Sequence, residues 1–422
     1  MSEETVAIIG ANLAGGRAAE ALRREGFGGS IILVGEEPWR PYERPPLSKE
    51  LLWEAREQRD PPFLNDERFY AENGIELCLG CRATELDLAS RRIVLSDGRR
   101  LFADKVLLCT GGRPRPLKAE GAQLGGVLYM RTLADARALE ERLGPGTRVV
   151  IIGMGIIGAE VAASARKRDC EVTVVEPATA PMLRLLGNHY GSWLAEKHRR
   201  NEVRVLLNTS VQRLVGGGGE VRGVVTGDGR VLPAEVVVVG IGIEPAIELP
   251  QAAGLQVGNG VVVDRQCRTS SSGVWAAGDV ACQQDFFDSE GFVRLETFQN
   301  AQDQGAAAAA SMVGKAVDYV TPGWFWTDQY DLNIQLCGRI GDGAQRVVRG
   351  SEVAEKFSAF FLRGGVVEGV MTVNRPGDMG IGKRLVANRI AAEEGLLADE
   401  SVPLRSLLAP KRQGMDLQRV GQ

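Results

Sequence analysis

Histidine is the scarcest reactive side chain here: only His189 and His198 occur among 422 residues. Both lie in a helix-prone polar stretch, LGNHYGSWLAEKHRR, with no nucleophile in a recognisable motif nearby, which argues against a Ser-His-Asp hydrolase or a histidine-driven acid/base enzyme. No stretch of 18 or more apolar residues occurs, so no membrane-spanning helix is expected. The first residues, MSEETVAIIG, contain neither a basic segment nor an apolar run of signal length, and the expectation is a cytoplasmic protein. A net charge of −4 gives no overall basic field, so neither nucleic acid nor an anionic membrane is an expected partner. The seven cysteines are odd in number and scattered, which fits free thiols in a reducing compartment rather than a disulfide scaffold. Cys78 and Cys81 have CxxC spacing, but no second CxxC and no histidine pair supports zinc, and no metal site is expected. Long Gly/Pro-rich linkers are also lacking, which suggests tightly packed domains.

What is present is a chain long enough for two or three domains, with 44% hydrophobic and 25% charged residues, as in ordinary globular proteins. Residues 5–9, TVAII, read as a strand; Gly10 to Gly15 form a turn; the Ala- and Arg-rich segment 16–24 reads as a helix. The next strand, 30–34, runs into Gly35-Glu36-Glu37, which sets an acid about twenty residues past the turn, where it can accept hydrogen bonds from an adenosine ribose.

The same grammar recurs. RVVIIGMGIIGAEVAASARKR (148–168) is strand, GxGxxG turn (Gly153, Gly155, Gly158) and helix, and the following CEVTVVE ends at Glu176. One Gly-rich match is weak, but two copies, each with its strand, helix and acid, point to two nucleotide-binding domains of related design. Each copy closes on a buried strand followed by glycine and proline, KVLLCTGGRPRP (105–116) and EVVVVGIGIEP (235–245), as suits the carboxyl-end crevice of an open parallel sheet.

The first copy has Asn12 where the second glycine of the fingerprint belongs. That glycine lets the backbone approach a pyrophosphate, and asparagine tolerates left-handed backbone better than most residues. Asn12 is therefore expected to substitute with modest strain and to offer its amide to a phosphate oxygen, while Gly10 and Gly15 keep the turn and the helix contact. Far along the chain, TSSSGVWAAGDV (269–280) places Asp279 at a strand end.

These segments, with RPYERPPLSK (40–49), RTLADA (131–136), ETFQNAQDQG (296–305) and WFWTDQ (324–329), resemble the FAD-dependent ferredoxin reductases of bacterial oxygenase systems over essentially the whole chain. The resemblance implies an α/β fold with two Rossmann-like nucleotide-binding domains of the glutathione-reductase type and a C-terminal α+β domain. It implies an FAD domain split between residues 1–115 and 243–322, an NAD domain at 116–242 between them, and a C-terminal interface domain at 323–422. It further implies hydride transfer from NADH to FAD, then single-electron transfer to a [2Fe-2S] ferredoxin that feeds an oxygenase, such as an aromatic-ring-hydroxylating dioxygenase.

By the same resemblance Lys49, Glu160 and Trp326 carry the chemistry: Lys49 on the flavin N5 side, Glu160 at the nicotinamide carboxamide, Trp326 beside the flavin. FAD is expected against Gly10, Asn12, Ala14, Gly15, Glu36, Arg44, Lys49, Thr110, Gly111, Arg131, Gly278, Asp279, Glu296, Thr297 and Trp326. NAD is expected against Gly153, Gly155, Ile156, Ile157, Glu160, Glu176 and Gly242, with the Glu176 carboxylate repelling a 2′-phosphate and so favouring NADH. Trp324 and Phe325 are expected in packing. The redox pair of flavin disulfide reductases would sit near RPPLSKELL, which has no cysteine, so Cys78 and Cys81 are expected to be structural, in strands around Gly80.

KHRRNEVR (197–204) reads as a solvated helix end, Gly216–Gly219 as a hairpin loop, and Ala306–Ala310 as helix interior. FSAFFLRGGVVEGVMTV (357–373) reads as a hairpin followed by helical KRLVANRIAAEE, and residues 405–422 as a loosely held tail. Two other functions fit the same motifs. One is a reductase of another carrier such as rubredoxin. The other is a flavin-based, NADH-responsive interaction protein resembling apoptosis-inducing factor. Oligomeric state, monomer or homodimer, is left open by the sequence.

Overall fold

In the computed structural model the described residues are 4–54 and 61–408. They divide into two compact units, Met1–Asp331 and Leu332–Gln422. The first is built on two parallel five-stranded sheets of one design. One runs Val274–Ala276, Lys105–Leu108, Thr5–Ile9, Ser30–Val34, Ile75–Cys78. The other runs Arg204–Leu206, Glu171–Val175, Arg148–Ile152, Val236–Val239, Val127–Tyr129. Beyond the leading Thr5 and Arg148 their central strands are apolar because both faces are covered, so burial along them is nearly continuous rather than alternating.

The repeat extends to register. Ile9 pairs with Val34 at the end of one sheet as Ile152 pairs with Val175 in the other, so both Gly-rich turns leave their sheets at matching points. The first sheet is discontinuous in sequence: the chain leaves it after Leu108, builds the second sheet, and returns to add Val274–Ala276. Outgoing Gly112–Pro114 and returning Ile243–Pro245 pair as antiparallel strands, which ties the two crossings together.

Several expectations change in detail. The first helix is Leu13–Arg24 and takes Asn12 as its N-cap, so it starts earlier than the Ala-rich segment suggests. The long helix Leu183–Arg200 is interrupted at Gly187, whose φ is +68°. Its last turn is not the solvated helix end expected of KHRR: Lys197 and His198 are buried, while Arg199 and Arg200 are exposed. Helical periodicity lets neighbours in one turn face opposite environments. The strand Trp324–Gln329 clusters with the first unit.

In the second unit the strands Leu332–Gly338, Val366–Val373, Lys356–Arg363 and Gln345–Ser351 form an antiparallel sheet in that order, with the expected hairpin turning at Gly364-Gly365. The helix packed on it is Pro376–Ala387, not 383–394. Gly377, Gly380 and Gly382 masked its start in the sequence, whereas Pro376 suits a first turn; the left-handed Arg389 (φ +48°) lies just past its end. Of the 405–422 tail, Leu404–Leu408 begins as a 3-10 turn and residues 409–422 lie outside the described residues. Among the described residues no helix is long and apolar enough to cross a membrane.

Candidate active site

The two Gly-rich turns show what each position requires. Gly10 has φ +124°, and a Cβ there would lie 2.0 Å from the Cys109 carbonyl oxygen. A Cβ on Gly15 would lie 2.0 Å from Gly10 O, and one on Gly158 would lie 2.1 Å from Gly153 O, so both helices sit hard against their turns. The middle position differs. Asn12 has φ −115° and Gly155 φ −74°, both with extended ψ, a conformation open to any residue. Asn12 therefore needs no left-handed tolerance. Its side chain is also turned inward rather than offered to a phosphate: Oδ1 accepts from Gly15 N at 3.3 Å and Nδ2 donates to the Cys109 carbonyl. The asparagine is a cap that ties the turn to the neighbouring strand's end. Gly155, with nothing within 4 Å of a Cβ, faces open space.

Two adjoining clefts, of about 950 and 1910 Å³ including their open mouths, share Asn12, Arg44, Gly111 and Arg131. The larger is lined by Gly10, Glu36 and Thr110, and the smaller by Ala14, Lys49, Ile156, Ile157, Glu160, Asp279, Glu296, Thr297 and Trp326. The continuous trough starts at the acid after the second strand, passes the first Gly-rich turn, and ends at an aromatic and charged pocket. Its shape and donors fit an extended dinucleotide. Gly15, Gly278, Gly153, Gly155, Glu176 and Gly242 do not line either cleft; Gly15 and Gly278 act from beneath, Gly278 because a Cβ would meet Ala14 Cβ at 2.9 Å.

At the closed end, Lys49 and Glu160 are both buried, and Lys49 Nζ stands 3.4 Å from Glu160 Oε1 and 3.3 Å from Asp328 Oδ2. The ammonium also lies 5.3 Å from the Trp326 ring centre, within cation–π range. Glu160 Oε2 accepts from the Ser48 hydroxyl at 2.5 Å, and Oε1 from Thr327 at 2.7 Å. Burial pushes the Glu160 carboxyl above its usual range, against the opposing pull of Lys49 and the two hydroxyls. The Ser164 hydroxyl donates to Ser48 O at 2.7 Å, so the helix Ile156–Lys167 of one nucleotide domain is bonded to the PPLS turn of the other. Trp326 is stacked on Trp324 at 5.4 Å and meets Phe298 edge-on at 5.4 Å. Phe325, expected only in packing, also lines the pocket.

Arg131 Nη2 pairs with Asp279 at 2.8 Å, joining the two strand-end turns across the trough. Glu296 pairs with Arg294, and its carboxyl is raised chiefly by burial. Thr110 and Thr297 face the trough, yet each hydroxyl has a structural partner, Ala246 O and Asn300 N respectively. Glu176 lies at the second turn, accepting from Met154 N at 2.6 Å and Ala178 N at 2.8 Å. Glu36 is exposed at the trough's far end.

Sequence reasoning passed over Glu37, Tyr42, Ser48, Thr327 and Asp328. Glu37 is the acid that orders the trough wall: it accepts from Arg44 at 2.8 Å and from Tyr42 OH at 2.6 Å, while Leu133 N donates to that phenol. Thr327 and Asp328 lay inside the quoted WFWTDQ segment, and strand alternation signals that Thr327 and Gln329 share a buried face. Cys78 and Cys81 are free and buried; burial pushes Cys78 up to about 11, and the Cys81 thiol donates to Cys78 O at 3.3 Å. Burial thus holds the Cys78 thiol protonated, which is unsuited to redox chemistry. Among the described residues no cluster could hold a metal ion.

Residues 4–305 match the family described as pyridine nucleotide-disulphide oxidoreductase, and residues 324–408 match the reductase C-terminal domain. The chain belongs to the pyridine nucleotide-disulphide oxidoreductase family. It is 40% identical, over 95% of its length and 97% of the relative's, to the ferredoxin–NAD(+) reductase component of the p-cumate 2,3-dioxygenase system of Pseudomonas putida. It is 39% identical, over 97% of its length and 99% of the relative's, to the corresponding biphenyl dioxygenase component of Paraburkholderia xenovorans. A solved putidaredoxin reductase in covalent complex with putidaredoxin superposes with a TM-score of 0.91 at 36% identity, covering 97% of this chain and 99% of that one. The ferredoxin reductase of the CYP199A2 system of Rhodopseudomonas palustris gives the same TM-score and identity, with 96% and 100% covered.

Proposed function

We propose that this protein is an NADH-dependent, FAD-containing ferredoxin reductase that supplies electrons to an oxygenase through a [2Fe-2S] ferredoxin, most simply an aromatic-ring-hydroxylating dioxygenase. The observation that carries the reading is the trough that joins the first Gly-rich turn to the buried Lys49–Glu160 pair and Trp326. Residues 1–115 with 243–322 and the strand Trp324–Gln329 hold FAD, residues 116–242 hold NADH, and residues 332–422 form the remaining domain. A cytoplasmic site of action is part of the reading and is supported by seven cysteines that are all free and buried.

The bound flavin supplies the exchange between two-electron and one-electron chemistry. The chain's own residues do the rest. Lys49 is held with its charge toward the pocket, where it favours added negative charge on a neighbouring ring. Glu160, fixed by Ser48 and Thr327, offers an acceptor to an amide N–H of the nicotinamide. Trp326, Phe325 and Phe298 wall the pocket and exclude water. Glu176, at the end of its strand, disfavours a 2′-phosphate.

The test is anaerobic. The purified protein, reconstituted with FAD, should have a flavin spectrum that bleaches rapidly with NADH and slowly with NADPH. It should sustain multiple turnover of cytochrome c only when a [2Fe-2S] ferredoxin is added. Failure to retain FAD, or turnover indifferent to ferredoxin, removes the reading.

A further inference from the structure

His198, far from Glu160 in sequence, is connected to it by an unbroken buried chain of hydrogen bonds. Glu160 Oε1 receives Thr327 Oγ1 at 2.7 Å; Thr327 Oγ1 receives Gln329 Nε2 at 3.1 Å; Gln329 Oε1 faces His198 Nε2 at 2.8 Å; His198 Nδ1 faces Tyr330 OH at 2.9 Å. Thr327, Gln329 and His198 are each at most 1% exposed. Tyr330 holds its place from a left-handed backbone, φ +58°, which is uncommon for an aromatic residue. Its ring meets the His198 imidazole at 5.1 Å between centres.

The direction of every bond follows from the first. An ionised carboxylate only accepts, so Thr327 must donate to Glu160, and its oxygen must then receive the Gln329 amide N–H. That orients the Gln329 carbonyl toward His198, whose Nε2 must therefore carry hydrogen. The ring is neutral, since burial lowers His198 to about 4, so Nδ1 is left to accept from Tyr330. All the donors point toward Glu160, and such aligned bonds polarise one another in the same sense. If Glu160 instead carried the proton on Oε1 and donated it to Thr327, the whole chain would reverse: Gln329 would turn over and His198 would hold its hydrogen on Nδ1. The groups around the imidazole are Gln329, Tyr330 with Arg166 acting on its phenol, and, on His198's own helix, Lys197, which pairs with Asp331 at 2.6 Å.

We propose that His198 is a positioning residue: through Gln329 and Thr327 it aims a train of donors at Glu160 and keeps that carboxylate oriented as an acceptor in the nicotinamide pocket. The proposal rests on the reading of Glu160 as the nicotinamide contact. In consequence the His198 tautomer reports the charge state of Glu160.

Because the chain has only two histidines, a His189→Gln background leaves one imidazole to observe. Long-range proton–nitrogen correlation spectra of the FAD-loaded protein near neutral pH should show His198 as a single Nε2–H tautomer. Introducing Thr327→Val should cut the train and give mixed or Nδ1–H tautomers. Tyr330→Phe, at the far end, leaves the Glu160–Thr327–Gln329–His198 bonds in place, so it should keep the Nε2–H tautomer and, by shortening the train, weaken NADH binding about threefold without loss of FAD. An Nδ1–H tautomer in the starting protein, or a tautomer indifferent to Thr327→Val, overturns the proposal. Glu160→Gln judges the underlying reading separately: unchanged NADH affinity would remove the nicotinamide contact, while the tautomer would still decide the relay.

Discussion

Lys49 and Glu160 stand 3.4 Å apart, with side chains only 7% and 4% exposed, although they come from different nucleotide-binding repeats. Lys49 has a second carboxylate in Asp328 at 3.3 Å, whereas Lys49 is the one cation paired with Glu160 among the described residues. Losing the lysine should therefore be worse than losing the acid. Lys49→Met strands a buried carboxylate and should cost about 3 to 5 kcal/mol, partly relieved if Glu160 takes up a proton. Glu160→Gln keeps an acceptor for one of the two hydroxyls, turns an amide N–H toward the oxygen of the other, and leaves Lys49 with Asp328, and should cost less. Urea unfolding of the FAD-loaded variants compares them, and equal losses would show that the pair is not energetically asymmetric.

Glu176→Arg should reverse coenzyme preference. It removes the acceptor for the Met154 and Ala178 N–H groups and substitutes a cation suited to a phosphate. The ratio of kcat/KM for NADH over NADPH should fall by at least about tenfold. An unchanged ratio would place the ribose elsewhere.

Asn12 should prove to be a cap and not a phosphate ligand. Asn12→Gly should retain FAD and lose only a few tenths of a kcal/mol, while Asn12→Ala should lose about 1 kcal/mol. Flavin content after gel filtration, read with the melting temperature, separates the roles. Loss of FAD at unchanged stability would make the amide a ligand after all.

Acid should weaken the fold through His198. Its folded pKa, lowered from 6.5 to about 4 by burial, means that the unfolded chain binds the extra proton in this interval. The contribution is full above pH 6.5 and is lost as pH falls toward 4, to a limit of roughly 3 kcal/mol. His198→Gln should flatten the stability profile between these values. A profile as steep as the parent's would assign the acid sensitivity to other groups.

Much of the nucleotide-binding frame was legible because it is local. A strand, a Gly turn and a helix need only contiguous apolar, small and helix-forming residues, and their repetition at 5–24 and 148–167 identified the two sheets. Asn12 was misjudged because the fingerprint records residue identity but not φ, and at −115° the middle position makes no demand for glycine's freedom. The C-terminal helix was misplaced because three glycines lower local propensity, and packing against the sheet overrides it.

By itself, the sequence determined the repeated α/β architecture, the Gly-rich turns, and the residue types available for nucleotide chemistry. Only the tertiary structure decided that Lys49 and Glu160 form a buried pair, that Glu37 orders the wall beside Glu36, and that the supposedly solvated His198 lies in the interior and reaches Glu160 through Thr327 and Gln329. The physical reason is range. Turns and helices are set by neighbours along the chain, whereas desolvation and hydrogen-bond direction depend on groups brought together from over a hundred residues away.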